Sequence, residues 1–159
     1  MTTIGKALDP SVAQFGLELR CPWAELILEG TKTIETRYYP CPASLLGHRI
    51  AIIETPVDGK AGVSGLKDEC EAGVARVTGY VIFEQSKVYS SREAWIADYA
   101  KHCVPKDSPY GWRDEEGGAV FAWVVKHIER VTPSPTPFMT RAKRSLFAMW
   151  SDYQGQPVS

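Results

Sequence analysis

The sequence predicts an α+β fold, a small mixed β-barrel, closed or nearly closed, with two short helices. Three observations carry this. Five or six segments have the two-residue alternation, or the β-branched and aromatic density, of strands. Only two segments have helical spacing, and both are short. The 159 residues, 44% of them hydrophobic, suffice for one domain whose core needs no metal or disulfide staple. Strands that mostly follow one another without helices between them argue for a barrel, and closure removes exposed edges.

Residues 15–20 alternate Phe15, Leu17 and Leu19 with Gly16, Glu18 and Arg20, the period of a half-buried strand. The period then changes. Across 22–29, Trp23, Leu26 and Ile27 fall at i, i+3 and i+4, with Glu25 and Glu29 on the other side. Pro22 suits the first helical position and Gly30 the left-handed residue that ends the helix. Alternation returns with Ile34, Thr36 and Tyr38 facing one way and Thr33, Glu35 and Arg37 the other, until Pro40, Cys41 and Pro42 stop the strand. A strand follows at 49–54. Residues 55–73, with Pro56 and four glycines, read as a long loop with one helical turn around 67–70.

Residues 74–88 predict a long strand, bent or bulged near Gly79. Ser90 with Glu93 three residues on is a capping-box pattern, and the stripe Trp95, Ile96, Tyr99 and Ala100 behind it predicts a helix to about His102. The polar, turn-rich 105–118 leads into a central strand at 119–131, and Pro133, Pro135 and Pro137 form a rigid extended spacer. A last strand at 145–150 places Leu146, Ala148 and Trp150 on one face and Phe147 and Met149 on the other, so that both sides are covered. The domain therefore spans 15–150, between a flexible arm at 1–14 and a flexible tail at 151–159.

Eighteen basic and nineteen acidic side chains give a net charge of -1, which weighs against a strongly basic nucleic-acid binder but leaves room for a local patch. Lys126, Arg130, Arg141, Lys143 and Arg144 are opposed between 126 and 144 only by Glu129. Upstream, Asp114, Glu115 and Glu116 form an acidic run whose plain reading is a solvated loop. The longest apolar stretch, 119–125, falls far short of the roughly 20 residues of a spanning helix. With no apolar block of a secretory signal at its start, the chain is expected in the cytoplasm or nucleus. Cys21, Cys41, Cys70 and Cys103 are widely spaced with no C-x-x-C, so reduced thiols are expected, and neither a metal nor a cofactor.

The block 30–37 is the most informative. With Ile34 facing the core, Glu35 and Arg37 emerge together on the opposite face, about 6 to 7 Å apart. Lys32, at the helix-to-strand corner, reaches the same space. An ammonium, a carboxylate and a planar guanidinium suit a nucleotide with its phosphate and polar base edge; the alternative is an exposed ion-pair strand worth under about 1 kcal/mol. Trp23, Tyr38 and Tyr39 border this block and supply rings for base stacking. For Trp23, Trp123 and Trp150 the alternative is core filling. Tyr110 and Trp112, in a polar loop, offer an exposed stacking surface or a cap on the barrel mouth.

Cys-Pro-Trp-Ala at 21–24 and Gly-x-Lys-x-x-Glu-x-Arg across 30–37 resemble the opening of the ASCH (activating signal cointegrator homology) domains. Phe121-Ala122-Trp123-Val124-Val125, Ile128, Val131 and Ser145-Leu146-Phe147 resemble that family's closing strands. The resemblance implies a PUA-like barrel with Lys32, Glu35 and Arg37 in or beside a cleft next to the first helix. It also implies a choice of function. Many members bind RNA in transcription or translation, whereas some compact ones are amidohydrolases of N4-acylated cytidine that use a Lys, a Thr or Ser, and a Glu. Lys32 matches that lysine, but the hydroxyl position three residues on is Glu35, and the nearest candidate for the separate acid is Asp98. The leading expectation is an ASCH domain that binds single-stranded RNA or a modified nucleoside or nucleotide, with Lys32, Glu35, Arg37, Trp23, Tyr38 and Tyr39 at the ligand and Arg141, Lys143 and Arg144 on phosphate. The rival is a metal-independent amidohydrolase or ribonuclease with Lys32 and Glu35 as acid–base groups and Thr33 or Thr36 orienting the substrate. A third reading, an interaction adaptor using the proline spacer, predicts neither binding nor turnover.

Overall fold

A computed structural model describes residues 14–55, 64–114 and 119–150. The expected arm and tail, residues 56–63 of the expected loop, and Glu115 and Glu116 lie outside the described residues, except that Gln14 at the end of the arm accepts the Met149 N–H. The strands are β1 (Phe15–Arg20), β2 (Ile34–Arg37), β3 (Ile50–Thr55), β4 (Glu69–Cys70), β5 (Arg76–Val88), β6 (Phe121–Pro135), β7 (Phe138–Lys143) and β8 (Leu146–Trp150). The α-helices are α1 (Trp23–Leu28), α2 (Arg92–Ala97) and α3 (Tyr99–His102), with one 3-10 turn at Ala43–Leu45. All eight strands join one sheet in the order β2-β6-β5-β3-β1-β8-β7-β4, curled into a half-barrel. Only the β1–β3 pair is parallel, so the sheet is mixed.

The departures from the sequence reading have local causes. The turn expected around 67–70 is instead β4, which pairs Glu69 with Thr140 and Cys70 with Met139 of β7. β7 itself escapes the alternation rule because Phe138 and Met139, which are adjacent, are both buried. The proline segment is not a free spacer: β6 runs through Pro133 to Pro135, with Ser134 opposite Val77. These prolines are tolerated because β2 pairs only with residues 121–124 of β6, which leaves the later stretch on an edge where a missing N–H costs no ladder bond. The second predicted helix begins on Ser91, not Ser90; its hydroxyl accepts the Ala94 N–H at 3.0 Å. It is split at Asp98 into α2 and α3.

The predicted irregularity near Gly79 is a register break between Val77 and Gly79. A Cβ at Gly79 would lie 2.5 Å from Leu28 Cδ2 and 2.6 Å from the Glu129 carbonyl oxygen, so glycine is what allows α1 to seat on the sheet. β3 is buried on both sides. Ile50 and Ile52 join Leu17, Leu19, Ile27, Phe83 and Trp123 beneath α1, while Ala51 and Ile53 face Val77, Met139 and Phe147. Each fully buried aliphatic side chain contributes about 1.5–3 kcal/mol. Phe147 and Met149 fall on the second face and Leu146 on the first, so β8 is covered on both sides as its pattern predicts. A third cluster, centred on Trp95, packs α2 against Ile34, Val120 and Ala122. Among the described residues no helix is long and apolar enough to cross a membrane.

Candidate functional site

A cleft of about 270 Å³ opens between β1, β2, the start of α1 and the β7–β8 turn. At the end of α1, Gly30 adopts a φ of 85°, which favours glycine, and the Lys32 N–H then returns to the Leu26 carbonyl at 2.9 Å. This corner turns the Lys32 side chain inward, where it is 1% exposed. Its Nζ donates to the carbonyl of His102, lies 3.6 Å from Glu35 Oε1 and sits 5.0 Å from the centre of the Trp23 ring. Burial pushes the Lys32 pKa below its ordinary value, Glu35 and Cys103 oppose the shift, and the Arg37 charge adds to it.

Glu35 and Arg37 share one face of β2, as the alternation requires. Arg37 Nε donates to Glu35 Oε2 at 2.8 Å and Nη2 donates to the Glu18 carbonyl at 3.0 Å. Burial works against the Arg37 charge, but Glu35, Tyr39 and Glu18 outweigh it and hold its pKa above the usual value. With Glu35 only 5% exposed, the surface ion-pair alternative does not describe this strand. The ammonium, carboxylate and guanidinium share one hollow.

Thr36, Tyr38, Tyr39 and Trp23 also line the cleft. Tyr38 donates its hydroxyl to Gly111 O at 2.5 Å and carries the Arg113 guanidinium 3.8 Å above its ring. Trp23 meets Tyr110 edge to face at 5.9 Å, which makes Tyr110 a wall of the cleft. Trp112 does not line it; its ring lies 6.5 Å from Trp95 and its Nε1 donates to Asp114. Thr33 is also outside: it precedes β2, is exposed, and has its backbone tied to Lys101 and Val125, so it cannot orient a ligand in the cleft. Asp98 likewise lies elsewhere and accepts from the Tyr89 hydroxyl at 2.9 Å. Trp123 fills the core, its Nε1 donating to the Tyr39 carbonyl.

Of the basic stretch, Arg141 and Arg144 line the cleft and Lys143 does not. Arg141 is not available to phosphate in the way its position in the sequence implies. Its donors already serve Asp68 at 2.7 Å, Leu66 O at 2.6 Å, Ser64 Oγ at 3.1 Å and the Arg144 carbonyl. It works as a clasp that holds residues 64–68 beside the cleft. Arg144 lies over the Tyr39 ring at 5.3 Å and is exposed.

Sequence reasoning missed Glu18, Arg20 and Ser64. Glu18 and Arg20 are nearly buried although they occupy the polar positions of β1. A signal was present, because Glu18-x-Arg20 repeats the Glu35-x-Arg37 pattern and both pairs line the cleft. Five cationic side chains, Arg20, Lys32, Arg37, Arg141 and Arg144, therefore meet two carboxylates, Glu18 and Glu35. Among the described residues, no three His, Cys, Asp or Glu side chains gather as a metal would need.

The ASCH domain matches residues 17–138. The chain belongs to the ASCH domain family. The match begins in β1 and ends at the start of β7, so it includes both acid–arginine pairs and Lys32. This ASCH domain is similar in structure to an ASCH protein from Zymomonas mobilis. A serine-to-alanine variant of that protein gives a TM-score of 0.53 at 22% identity, covering 79% of this chain and 76% of the other. The crystal structure of ASCH from the same organism gives 0.51 at 20% identity, covering 75% and 71%. A tyrosine-to-phenylalanine variant gives 0.53 at 18% identity, covering 82% and 91%. At these identities the likeness concerns the fold. No curated protein matches this ASCH domain. The family is generally RNA-binding and PUA-like.

Proposed function

We propose that the cleft binds a single nucleotide, free or within single-stranded RNA. The observation that carries this reading is the composition of the walls: aromatic rings of Trp23, Tyr38 and Tyr110 together with five basic side chains against two carboxylates. A planar base suits the rings. An anionic phosphate suits Arg20, Arg37 and Arg144. The volume of about 270 Å³ lies near the lower limit of ligand pockets, roughly 300 Å³, so it fits one nucleotide rather than a strand. Under this reading the partner is RNA handled in transcription or translation, or a modified nucleotide.

Calorimetric titration with cytidine and with cytidine 5′-monophosphate tests it. The monophosphate is expected to bind at least about tenfold more tightly, since a charge-assisted contact is worth about 1.5–3 kcal/mol. Trp23→Ala is expected to weaken both ligands by about 1–3 kcal/mol through lost stacking. Equal affinity for nucleoside and nucleotide would sink the phosphate assignment.

One observation favours a second reading, hydrolysis. Burial favours the neutral amine of Lys32, the form that can accept a proton. Incubation with N4-acetylcytidine, beside Lys32→Ala and Glu35→Gln, tests this. Turnover is expected to fall by about 10²–10⁴-fold in each variant; turnover indifferent to both would clear the pair of the chemistry.

A further inference from the structure

The best-defined pairing of nucleophile and base in the cleft is not Lys32 with Glu35. Ser64 lines the cleft, and its Oγ donates to Glu18 Oε1 at 2.5 Å. The same Oγ accepts from Arg141 Nη2 at 3.1 Å and from the Leu66 N–H at 3.1 Å, and lies 3.3 Å from the Leu66 carbonyl. Glu18 is itself held: its Oε2 accepts the Gly65 N–H at 2.9 Å and the Thr55 hydroxyl at 3.3 Å. A hydroxyl within reach of a carboxylate, with the carboxylate oriented by further groups, is the geometry of an activated nucleophile.

We infer that Ser64 is a nucleophile with Glu18 as its general base, acting on an acyl group esterified to a nucleotide. The hydroxyl's two acceptor positions are occupied by Arg141 and Leu66, so the attacking electron pair is the one released when the proton moves to Glu18. The two donors stabilise the developing alkoxide. As Oγ bonds to the carbonyl carbon, the Arg141 N–H that it leaves passes to the carbonyl oxygen, which becomes the oxyanion. Collapse breaks the bond between the acyl carbon and the ribose oxygen, and the proton on Glu18 goes to that departing oxygen. Water then adds to the acyl–serine: Glu18 takes the water proton, the hydroxide oxygen bonds to the acyl carbon, and Ser64 leaves with the proton returned. The products are the free acid and the nucleotide.

An acyl ester fits better than a phosphodiester. Most of the Arg141 donors are committed to Asp68, Leu66 and Arg144, so the guanidinium offers one N–H beside Ser64. That matches a single carbonyl oxyanion rather than three charged phosphoryl oxygens. Ser64 and Glu18 occupy neither the lysine corner nor the position three residues beyond it.

The nucleotide part of this inference rests on the proposed function; the dyad does not. The test is labelling of the full chain with a fluorophosphonate probe, read by intact mass and peptide mapping. One adduct on Ser64 is expected, absent in Ser64→Ala and formed about 100-fold or more slowly in Glu18→Gln. Cytidine 5′-monophosphate is expected to protect Ser64 from the probe. The unmodified protein decides the first result even if Glu18→Gln fails to fold: no adduct on Ser64 overturns the dyad and makes the hydroxyl an anchor for residues 64–66. Labelling at an unchanged rate in a folded Glu18→Gln overturns the role of Glu18. Nucleotide binding without labelling overturns this inference alone, whereas labelling that the nucleotide neither prevents nor slows overturns the assigned substrate.

Discussion

Glu35 is the residue on which the charge balance of the cleft turns. It lies between two cations, 3.6 Å from Lys32 Nζ and 2.8 Å from Arg37 Nε. Removing a buried counter-charge strands whatever remains, at a cost of about 3–5 kcal/mol. Glu35→Gln strands two cations; Lys32→Met leaves the Arg37–Glu35 pair intact and removes an ammonium that burial already disfavours. In urea denaturation, Glu35→Gln is therefore expected to lower the midpoint clearly more than Lys32→Met, and the reverse order would mean that Glu35 does not hold the pair together. The position of this carboxylate was legible in the chain because strand alternation fixes the face shared by Glu35 and Arg37. The burial of Glu18 was not legible. β1 carries the same spacing of acid and arginine, yet the groups that meet the Glu18 carboxylate, Thr55, Ser64 and Gly65, come from distant parts of the chain.

Elements with one period and a clear stop were legible in the sequence: α1 with Gly30 behind it, β2 and β8. Elements defined by their neighbours were not. β4 and β7 exist because they pair with each other and β7 with β8, and nothing in Thr140, Arg141 and Lys143 announces this. α3 shows how an element without a strong signal can still hold the site. It is only four residues long, but its His102 presents the carbonyl that receives Lys32 Nζ. The His102 ring is 0% exposed and stacks on Trp95 at 5.0 Å. Its Nε2 lies 2.6 Å from the Trp95 carbonyl and must carry the hydrogen, while Nδ1 accepts the Val104 N–H at 2.9 Å. Protonation would place a second hydrogen on Nδ1 against that N–H. Burial lowers the His102 pKa, the bond to Trp95 opposes this, and the Lys32 charge adds to the lowering. A histidine whose folded pKa is depressed binds its proton more readily when unfolded. Its contribution is thus fully present above the ordinary value of 6.5 and is lost as pH falls below it. Stability measured between pH 7.5 and 5.5 is expected to drop, by up to about 1.4 kcal/mol per pH unit below 6.5 for one proton. His102→Gln should flatten that part of the curve, and an unchanged slope would exclude His102 as the titrating group.

At the scale of the whole molecule, charge is segregated rather than abundant. The chain carries a net charge of -1, yet the cleft gathers five cations against two carboxylates. Such a field is local. At physiological ionic strength the screening length is about 8 Å, so the cleft's cations act on what enters it and steer distant strands little. Two of the remaining basic side chains are neutralised in place: Arg130 pairs with Glu25 at 2.6 Å and Arg49 with Glu129 at 3.1 Å. The curled sheet thus gathers Arg20, Lys32, Arg37, Arg141 and Arg144 around one cleft among the described residues. Single-stranded RNA binding falls with salt by about 0.7 log units per log unit of salt for each phosphate neutralised. If only the cleft engages RNA, one or two phosphates are neutralised, and titrating a short single-stranded RNA between 50 and 200 mM salt should give a slope of about -0.7 to -1.4. Arg144→Ala should flatten it by about 0.7, whereas Arg141→Ala, acting through the clasp on residues 64–68, should change affinity with little change in slope. A slope steeper than about -3 would place four or more phosphates on the protein and move the RNA path onto a surface well beyond this cleft.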